Sequence, residues 1–207
     1  MKNKDTSVNQ ITEGVIWKQL LFFFFPIMLG TLFQQLYNTA DAVVVGRFVG
    51  TRALAAVGGS TGQMVNLLVN FFVGLASGAT VIIARYYGAK KEKELNDTLH
   101  TAAALSVAGG IIISIAGILL APFMMELLKT PADVIEDSII YLRIYFAGII
   151  FVFIYNVGSA ILRAVGDSTR PLYFLIVCCF LNIFLDVILV VGMNLGVAGA
   201  AIATVVS

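Results

Sequence analysis

The sequence predicts an all-α fold, a bundle of helices that cross a membrane several times. Of its 207 residues, 59% are hydrophobic and only 12% are charged, whereas a soluble domain carries about 25% charged residues. The mean hydropathy is +0.96, and the long apolar runs lack the two-residue alternation of a membrane β-barrel. This composition excludes a soluble enzyme. The net charge of +1 offers no basic face to a nucleic acid, so no nucleic-acid partner is expected.

Six apolar segments define the predicted membrane spans. A helix needs roughly 20 mostly apolar residues to cross a hydrocarbon core of about 30 Å. The segments cover about 16–45, 54–84, 98–128, 135–162, 172–191 and 197–207. Because the last segment is too short to cross a bilayer, we expect an incomplete sixth span. Residues 1–15 are predicted to form a cytoplasmic tail, and residues 16–207 a single transmembrane lobe.

Short joints that carry glycine, proline or charged residues separate these spans, so consecutive spans should run up and down. The joints lie at 46–52, 88–94, 129–131, 166–171 and 192–196. Two adjacent cysteines, Cys178 and Cys179, and one histidine, His100, cannot supply a disulfide framework or a zinc site. No cofactor and no metal held by histidine or cysteine is therefore expected, and a sodium ion at Asp41, Asn182 and Asp186 stays possible.

The basic residues predict the orientation, because cytoplasmic loops carry an excess of lysine and arginine. With a cytoplasmic N-terminus, the outer segments hold Arg47, Arg52 and Lys129, and Arg143 lies inside the fourth span. The inner segments hold a larger set, namely Lys2, Lys4, Lys18, Arg85, Lys90, Lys91, Lys93, Arg163 and Arg170. We therefore expect a multi-pass protein of the cell membrane whose N-terminus is cytoplasmic.

Two acidic residues lie well inside predicted spans, Asp41 in the first and Asp186 in the fifth. At 1.5 Å per residue, counted from the following joints, both lie roughly 9–12 Å below the outer edge. An acid at the centre of a membrane helix costs about 2.5–3.5 kcal/mol on translocon scales, and such acids usually serve function. The alternative interpretation is that each acid reaches the interface from a position near a loop.

Other polar side chains recur at helical spacing beside these acids. The first stripe consists of Gln34, Asn38 and Asp41, with Tyr37 alongside, and Asn182 precedes Asp186 by one turn. A further stripe in the second span consists of Gln63, Asn66, Asn70 and Ser77. Together they predict one hydrated cavity shared by three helices. The alternative is hydrogen bonding between helices, worth about 0.6–2 kcal/mol per contact, which leaves two carboxylates unexplained.

The chemistry expected of such a cavity is ion coupling. Loss of water disfavours the charged form of a buried carboxylate, which can then exchange a proton for a cation. Pro26 lies inside the first span, where it removes a backbone hydrogen bond and permits a bend. A static kink is an equally good interpretation of that proline.

These motifs resemble the multidrug and toxic compound extrusion family, abbreviated MATE. The resemblance follows Pro26 and covers nearly the whole chain in order. Its segments are 34–41 (QQLYNTAD), 45–47 (VGR), 54–56 (LAA), 84–89 (ARYYGA), 162–171 (LRAVGDSTRP), 181–186 (LNIFLD) and 196–201 (GVAGAA).

The resemblance implies an N-terminal six-span lobe of a twelve-span antiporter, with the C-terminal lobe missing. Such proteins export cationic or amphipathic drugs in exchange for protons or sodium ions. The family's coupling site corresponds to Asp41, Asn182 and Asp186, joined by Tyr141, with Tyr145 as a competing tyrosine, and by Thr204. Its bending proline matches Pro26. From the polar stripes we expect Gln34, Tyr37, Asn38, Asn66 and Asn70 to contact substrate, and the lipid bilayer is the other expected partner.

Two alternative functions stay open at this point. A related fold flips lipid-linked saccharides, whose pyrophosphates need a cationic cavity, yet Arg143 is the only basic candidate inside a predicted span. An intramembrane aspartyl protease also uses two membrane aspartates to activate water. The residues before Asp41 and Asp186 do not match the motifs of those proteases.

Overall fold

The computed structural model describes residues 16–207, and every regular element in that range is helical. This confirms the predicted all-α membrane bundle. The predicted cytoplasmic tail, residues 1–15, with Lys2 and Lys4, lies outside the described residues.

Seven α-helices follow one another along the chain. They are α1 (Ile16–Val44), α2 (Thr51–Gly58), α3 (Ser60–Gly88), α4 (Glu92–Leu127), α5 (Ile135–Ala164), α6 (Thr169–Asp186) and α7 (Gly196–Val206). By length and composition, residues 16–207 contain five helical units that could cross a membrane: Trp17–Val49, Thr51–Gly88, Glu92–Leu127, Ile135–Ala164 and Thr169–Gly192. The eleven-residue α7 is shorter than these.

Two helix starts differ from the predicted joints for local reasons. The charged segment after Gly88 is non-helical only at residues 89–91, and α4 begins at Glu92 because Glu92 and Glu94 occupy its first turn, where negative charge is favourable. Helix α6 begins at Thr169, since Asp167 Oδ1 accepts hydrogen bonds of 3.1 Å from the backbone N–H groups of Thr169 and Arg170. Polar residues at these ends therefore lengthen the helices beyond their apolar runs.

Helix α5 forms the centre of the bundle. It packs against α3, α4 and α7, while α1 packs mainly against α6. One face of α5 presents Leu142, Phe146, Ile149 and Phe153, which are all 1% exposed or less. The outward faces carry many exposed large apolar side chains, such as Phe22 on α1. In a membrane protein these faces meet lipid, so the bundle follows the expected pattern.

Both helices that carry a membrane acid continue into a π-helical turn. The turn after α1 covers Val45–Val49, and the turn after α6 covers Val187–Gly192. The two turns contact each other, and Gly50 ends the first with a φ of +119°. The sequence predicted helix ends at Gly46 and Gly192, whereas the first helical segment in fact runs on to Val49. Single π turns are rare and are often found at functional sites.

Close packing of α5 on its neighbours depends on a glycine at position 148. A Cβ atom added there would overlap the Val205 side chain of α7. At Gly158, on the same helix, an added Cβ would meet nothing within 4 Å. We expect Gly148→Ala to lower the free energy of unfolding by about 1–3 kcal/mol through overpacking. Gly158→Ala should be neutral or stabilising by up to about 1 kcal/mol.

Thermal unfolding of the two variants in the same detergent measures this difference. Equal melting temperatures for Gly148→Ala and Gly158→Ala would show that the stability of the fold does not depend on the close contact between α5 and α7.

Candidate functional site

The centre of the site is a pair of buried carboxylates on neighbouring helices. Asp41 on α1 is 8% exposed, and Asp186, the last residue of α6, is fully buried. The two side chains lie within hydrogen-bonding reach of each other. Ionised carboxylates can only accept hydrogen bonds, so this contact becomes a bond when one of them carries a proton. The two acids predicted to lie at similar depth are thus in direct contact.

Packing of α1 on α6 brings the two carboxylates together. The helices cross closely near Gly30, where an added Cβ would lie 3.2 Å from Leu175 Cδ1. Each acid then lies at or within one turn of a π turn. The pair therefore occupies the point where both helices leave regular α geometry.

Neither acid has a partner that would compensate its charge. Asp41 Oδ1 and both carboxylate oxygens of Asp186 are buried without a hydrogen bond. Among residues 16–207, both ion pairs join exposed or half-exposed groups at helix starts, Lys91 with Glu94 and Arg170 with Asp167. Two adjacent carboxylates that are buried and have no basic group beside them favour a proton or a cation between them.

Asn182 extends the site by one turn along α6. Its side chain is fully buried, and both its amide nitrogen and its amide oxygen lack a hydrogen-bonding partner. A buried amide without partners is costly and usually marks a place where water or a ligand binds. The predicted grouping of Asn182 with Asp186 on one face agrees with their common burial on α6.

Tyrosine and threonine side chains on α1, α5 and α7 lie beside the acid pair and form a wall of the site. Tyr37 and Tyr141 lie close enough to Asp41 to interact with its charge, and each is within hydrogen-bonding reach of Thr204. The Thr204 hydroxyl donates to Ala200 O at 2.9 Å, so its oxygen is free to accept from a tyrosine hydroxyl. This wall joins α1, α5 and α7 around the acids.

Two further residues belong to this wall, although the sequence did not single out either as a preferred site residue. The rings of Tyr141 and Tyr145 are stacked, with centroids 6.4 Å apart and an interplanar angle of 9°. Tyr145 is 5% exposed, and Ser207 lies within reach of Tyr37. The four-residue spacing of Tyr141 and Tyr145 on α5 is the sequence signal that could have identified these two tyrosines as one patch.

The remaining predicted substrate residues lie away from the acid pair. Gln34 and Asn38 are exposed on α1, and Asn38 donates to Gln35 Oε1 at 3.4 Å. Asn66 and Asn70 are exposed on α3, which packs against α4 and α5 rather than α1. The structure therefore gathers α1, α5, α6 and α7 around a buried acid pair, while Gln34, Asn38, Asn66 and Asn70 stay predicted substrate contacts on exposed faces.

An open groove lies on another face of α1, near its C-terminal end. Its volume is about 640 Å³. It is lined by Gln35, Asn38, Thr39, Ala42, Val43, Gly46, Arg47 and Leu54. The lining contains polar groups but no acid, so the groove and the acid pair differ in charge.

Two other predicted residues lie outside the pair. Pro26 lies within α1, which continues as one helix from Ile16 to Val44. Arg143 is exposed on α5 and is not among the groups that interact with Asp41 or Asp186.

The fold and the site together define a polytopic membrane protein. Its helical lobe buries two adjacent carboxylates that no basic group of the described residues neutralises. The MatE family model matches residues 26–188, which is most of the chain. The chain therefore belongs to the MatE family.

Three comparisons fix the extent of the match. The chain is 34% identical over 196 residues to the probable multidrug resistance protein YoeA of Bacillus subtilis (strain 168), covering 93% of this chain and 42% of that protein. It is 30% identical, with a TM-score of 0.88, to an outward-facing conformation of a multidrug resistance MATE family transporter of the MOP superfamily, covering 99% of this chain and 45% of that one. Against an inward-facing conformation the identity is 31% and the TM-score 0.77, with coverage of 84% and 39%.

The chain thus spans less than half the length of the relatives it matches, as an N-terminal lobe would. Together, family membership and the apolar helices identify a multi-pass membrane protein of a transporter family.

Proposed function

We propose that this chain forms the N-terminal lobe of a secondary antiporter. The antiporter exports cationic or amphipathic drugs in exchange for protons or sodium ions, and the C-terminal lobe completes it. The observation that carries the proposal is the contact between Asp41 and Asp186, both buried and both without a base. In this proposal the lobe lies in the cell membrane with its N-terminus cytoplasmic.

The acid pair couples transport by alternating between two charge states. When the pair is ionised, it attracts a cationic substrate into the transporter. When a proton or a sodium ion occupies the pair, the negative charge is neutralised and the substrate is released. A cation between the acids could also bind the amide oxygen of Asn182 and the hydroxyl of Thr204, because hard cations prefer oxygen ligands.

The neighbouring tyrosines give the pair a way to change the shape of the lobe. Tyr37 and Tyr141 share Thr204 and also interact with the charge of Asp41. Neutralising Asp41 changes which acceptor their hydroxyl groups prefer, and this moves α1 relative to α5 and α7. Pro26 is the position where α1 bends in response, because proline leaves one backbone carbonyl without its helical partner.

Two solved MATE family transporters, one outward-facing and one inward-facing, bear on the shape of this lobe. The chain matches the outward-facing one over more of its length and with a higher TM-score than the inward-facing one. The lobe described here is therefore closer in shape to the outward-facing structure.

The flippase and protease alternatives receive less support. A site for a lipid pyrophosphate needs basic groups, yet the buried site is acidic and Arg143 lies outside it. A protease would need room for a peptide backbone beside the two carboxylates, whereas Asp186 is fully buried and Asp41 is 8% exposed. Relatives of this chain carry names of multidrug resistance and multidrug export proteins, which favours drug transport.

Transport measurements with imposed gradients test the proposal and identify the coupling ion. The intact transporter is reconstituted into liposomes, and ethidium movement is followed under a pH gradient or a sodium gradient alone. We expect one gradient to drive ethidium against its concentration difference, because only a bound cation can neutralise the acid pair. The flippase would be favoured instead if neither gradient drives accumulation of ethidium and the protein binds a polyprenyl pyrophosphate in preference to ethidium.

A further inference from the structure

The groove on α1 has the size and the charge of a binding site that is separate from the acid pair. We propose that it binds amphipathic compounds that carry a carboxylate, and that Arg47 is the residue that holds the carboxylate. This inference rests on the proposed antiport function. It adds zwitterionic compounds to the cationic ones as a class of substrate.

The shape of the groove follows from one face of α1 and the start of α2. On α1 the lining runs from Gln35 to Arg47, and its residues recur at helical spacing, so they share one side of the helix. At 1.5 Å per residue this face is roughly 18 Å long. The volume of about 640 Å³ lies within the range of about 300–1,000 Å³ that is usual for small-molecule sites. The groove is therefore large enough for fused rings with a polar group at each end.

Arg47 gives the groove a positive charge that no acid of the lining offsets. Among the described residues that line the groove, it alone is charged. Neither of the two ion pairs in residues 16–207 involves Arg47, and it is exposed. A guanidinium group carries five N–H donors in one plane and binds a carboxylate through two parallel hydrogen bonds. The groove therefore complements an anion, whereas the acid pair complements a cation.

The middle of the groove is apolar. Val43 of α1 is 57% exposed, and Leu54 of α2 is 37% exposed. Leu54 lies against α1 at Gly46, where an added Cβ would come 3.2 Å from Leu54 Cδ2. Gly46 therefore lets α2 approach and supply an apolar wall. An aromatic ring that lies against these side chains leaves water, which favours binding.

Amide groups line the end of the groove that is farther from Arg47. Asn38 Nδ2 donates to Gln35 Oε1 at 3.4 Å, and Thr39 Oγ1 donates to Gln35 O at 2.7 Å. Both bonds use oxygen atoms of Gln35, so its amide nitrogen keeps its donors for a ligand. Asn38, which the sequence predicts as a substrate contact, belongs to this groove.

A phospholipid is the alternative anion for Arg47, because the groove opens on the surface of the lobe. Its phosphate would pair with Arg47, and its acyl chains would then lie along Gln35 and Asn38. Amide groups that face hydrocarbon lose their hydrogen bonds to water, which is costly. A compound with polar groups at both ends and rings between them fits the whole lining better.

Protection of an introduced cysteine tests whether such a compound occupies the groove. Val43→Cys is made in the intact transporter, with Cys178, Cys179 and the cysteines of the remaining chain replaced by alanine. The purified protein is treated with N-ethylmaleimide in the presence of rhodamine B, a rigid dye that carries a xanthylium cation and a benzoate. At about ten times its dissociation constant the dye leaves about a tenth of the sites open, so modification should slow about tenfold. Thr39→Cys replaces Val43→Cys if that variant does not fold.

The matched control for protection is Ala132→Cys, at an exposed position in the loop between α4 and α5. Its modification should be as fast with the dye as without it. Unchanged modification of the Val43→Cys variant in the presence of rhodamine B would overturn the site. Equal protection by dioleoylphosphatidylglycerol would also overturn it, because the groove would then be a lipid site.

Esterifying the dye isolates the contribution of its carboxylate. Rhodamine B methyl ester keeps the rings and the positive charge but lacks the negative charge. With Arg47→Gln, the concentration of rhodamine B that protects half of the Val43→Cys variant should rise about three- to tenfold, as expected for one charge-assisted pair at a partly exposed site. The corresponding concentration of the ester should stay unchanged. With Arg47→Glu, the ester should bind more tightly and rhodamine B more weakly.

Arg52→Gln is the matched control for the charge. It removes an equal charge at an exposed position on α2 that does not line the groove, so both dyes should protect as in the native background. Equal weakening of both dyes by Arg47→Gln would refute the role of Arg47. Weakening of rhodamine B by Arg52→Gln to the same extent would refute it as well.

Protection is measured without any gradient, so the two proposals fail separately. If rhodamine B protects the groove but neither gradient drives dye transport, the binding site stands and the antiport mechanism is wrong. If a gradient drives ethidium transport but rhodamine B does not protect the Val43→Cys variant, antiport stands and the groove is not a substrate site.

Discussion

We expect that replacing Asp186 by asparagine abolishes drug export by the intact transporter and leaves its amount in the membrane unchanged. Asparagine keeps the shape of the side chain but cannot be ionised, so the pair would lose the charge that alternates in the proposed mechanism. We expect Asp41→Asn to have the same effect, since the two carboxylates act as one unit. Ethidium efflux from cells, with immunodetection of the transporter in isolated membranes, measures both quantities. Efflux should fall to the level of cells without the transporter.

The chain provides a matched control for this substitution on the same helix. Asp167→Asn makes the identical chemical change at the other end of α6, where Oδ1 accepts hydrogen bonds from Thr169 and Arg170. An asparagine oxygen accepts those bonds equally well, so export should remain near the native level. Native efflux from Asp41→Asn or Asp186→Asn would refute the coupling role of the pair.

The stability of the folded transporter should depend on the coupling cation. The ionised pair repels itself in the folded lobe, and a bound proton or sodium ion removes that repulsion without a comparable effect in the unfolded chain. A ligand present at about 100 times its dissociation constant stabilises the folded state by about 2.7 kcal/mol. We therefore expect the melting temperature to rise either when sodium replaces choline at constant ionic strength, or when the pH is lowered moderately.

Asp186→Asn provides the control for this measurement. Because it removes one charge of the pair permanently, its melting temperature should be higher than that of the native transporter without the cation. It should also be nearly insensitive to the cation that stabilises the native protein. An identical cation response in both proteins would place the stabilising site elsewhere.

The lengths of the apolar segments and the polar residues at their ends account for most of the helix positions. Five long helices lie where the apolar segments are, because a membrane span must satisfy its backbone internally. The sequence was less informative at helix ends. Gly46 indicated a stop, whereas the backbone changes to a π turn and continues to Val49 before Gly50 ends it. The first π turn contacts the second, which lies far away in sequence, and such a contact cannot be read from the residues around Gly46.

Candidate site residues can be predicted from the sequence where a residue type is energetically costly inside a membrane. Asp41 and Asp186 stood out for that reason, and helical spacing linked Asn182 to Asp186. Asn66 and Asn70 share a stripe, but spacing along one helix cannot determine which helix that stripe meets, and α3 packs away from α1.

The paired π turns have a consequence for insertions and deletions. A π turn is in effect an α-helix that has gained one residue. Removing one residue from Val187–Gly192 can therefore be absorbed where it occurs, because the stretch relaxes to ordinary α geometry and the residues beyond it keep their register. A deletion between Asn182 and Asp186, in the regular part of α6, has no such outlet and turns the two side chains by about 100° relative to each other. We therefore expect the transporter to tolerate the loss of one residue in the π turn better than the loss of one residue in the helix before it.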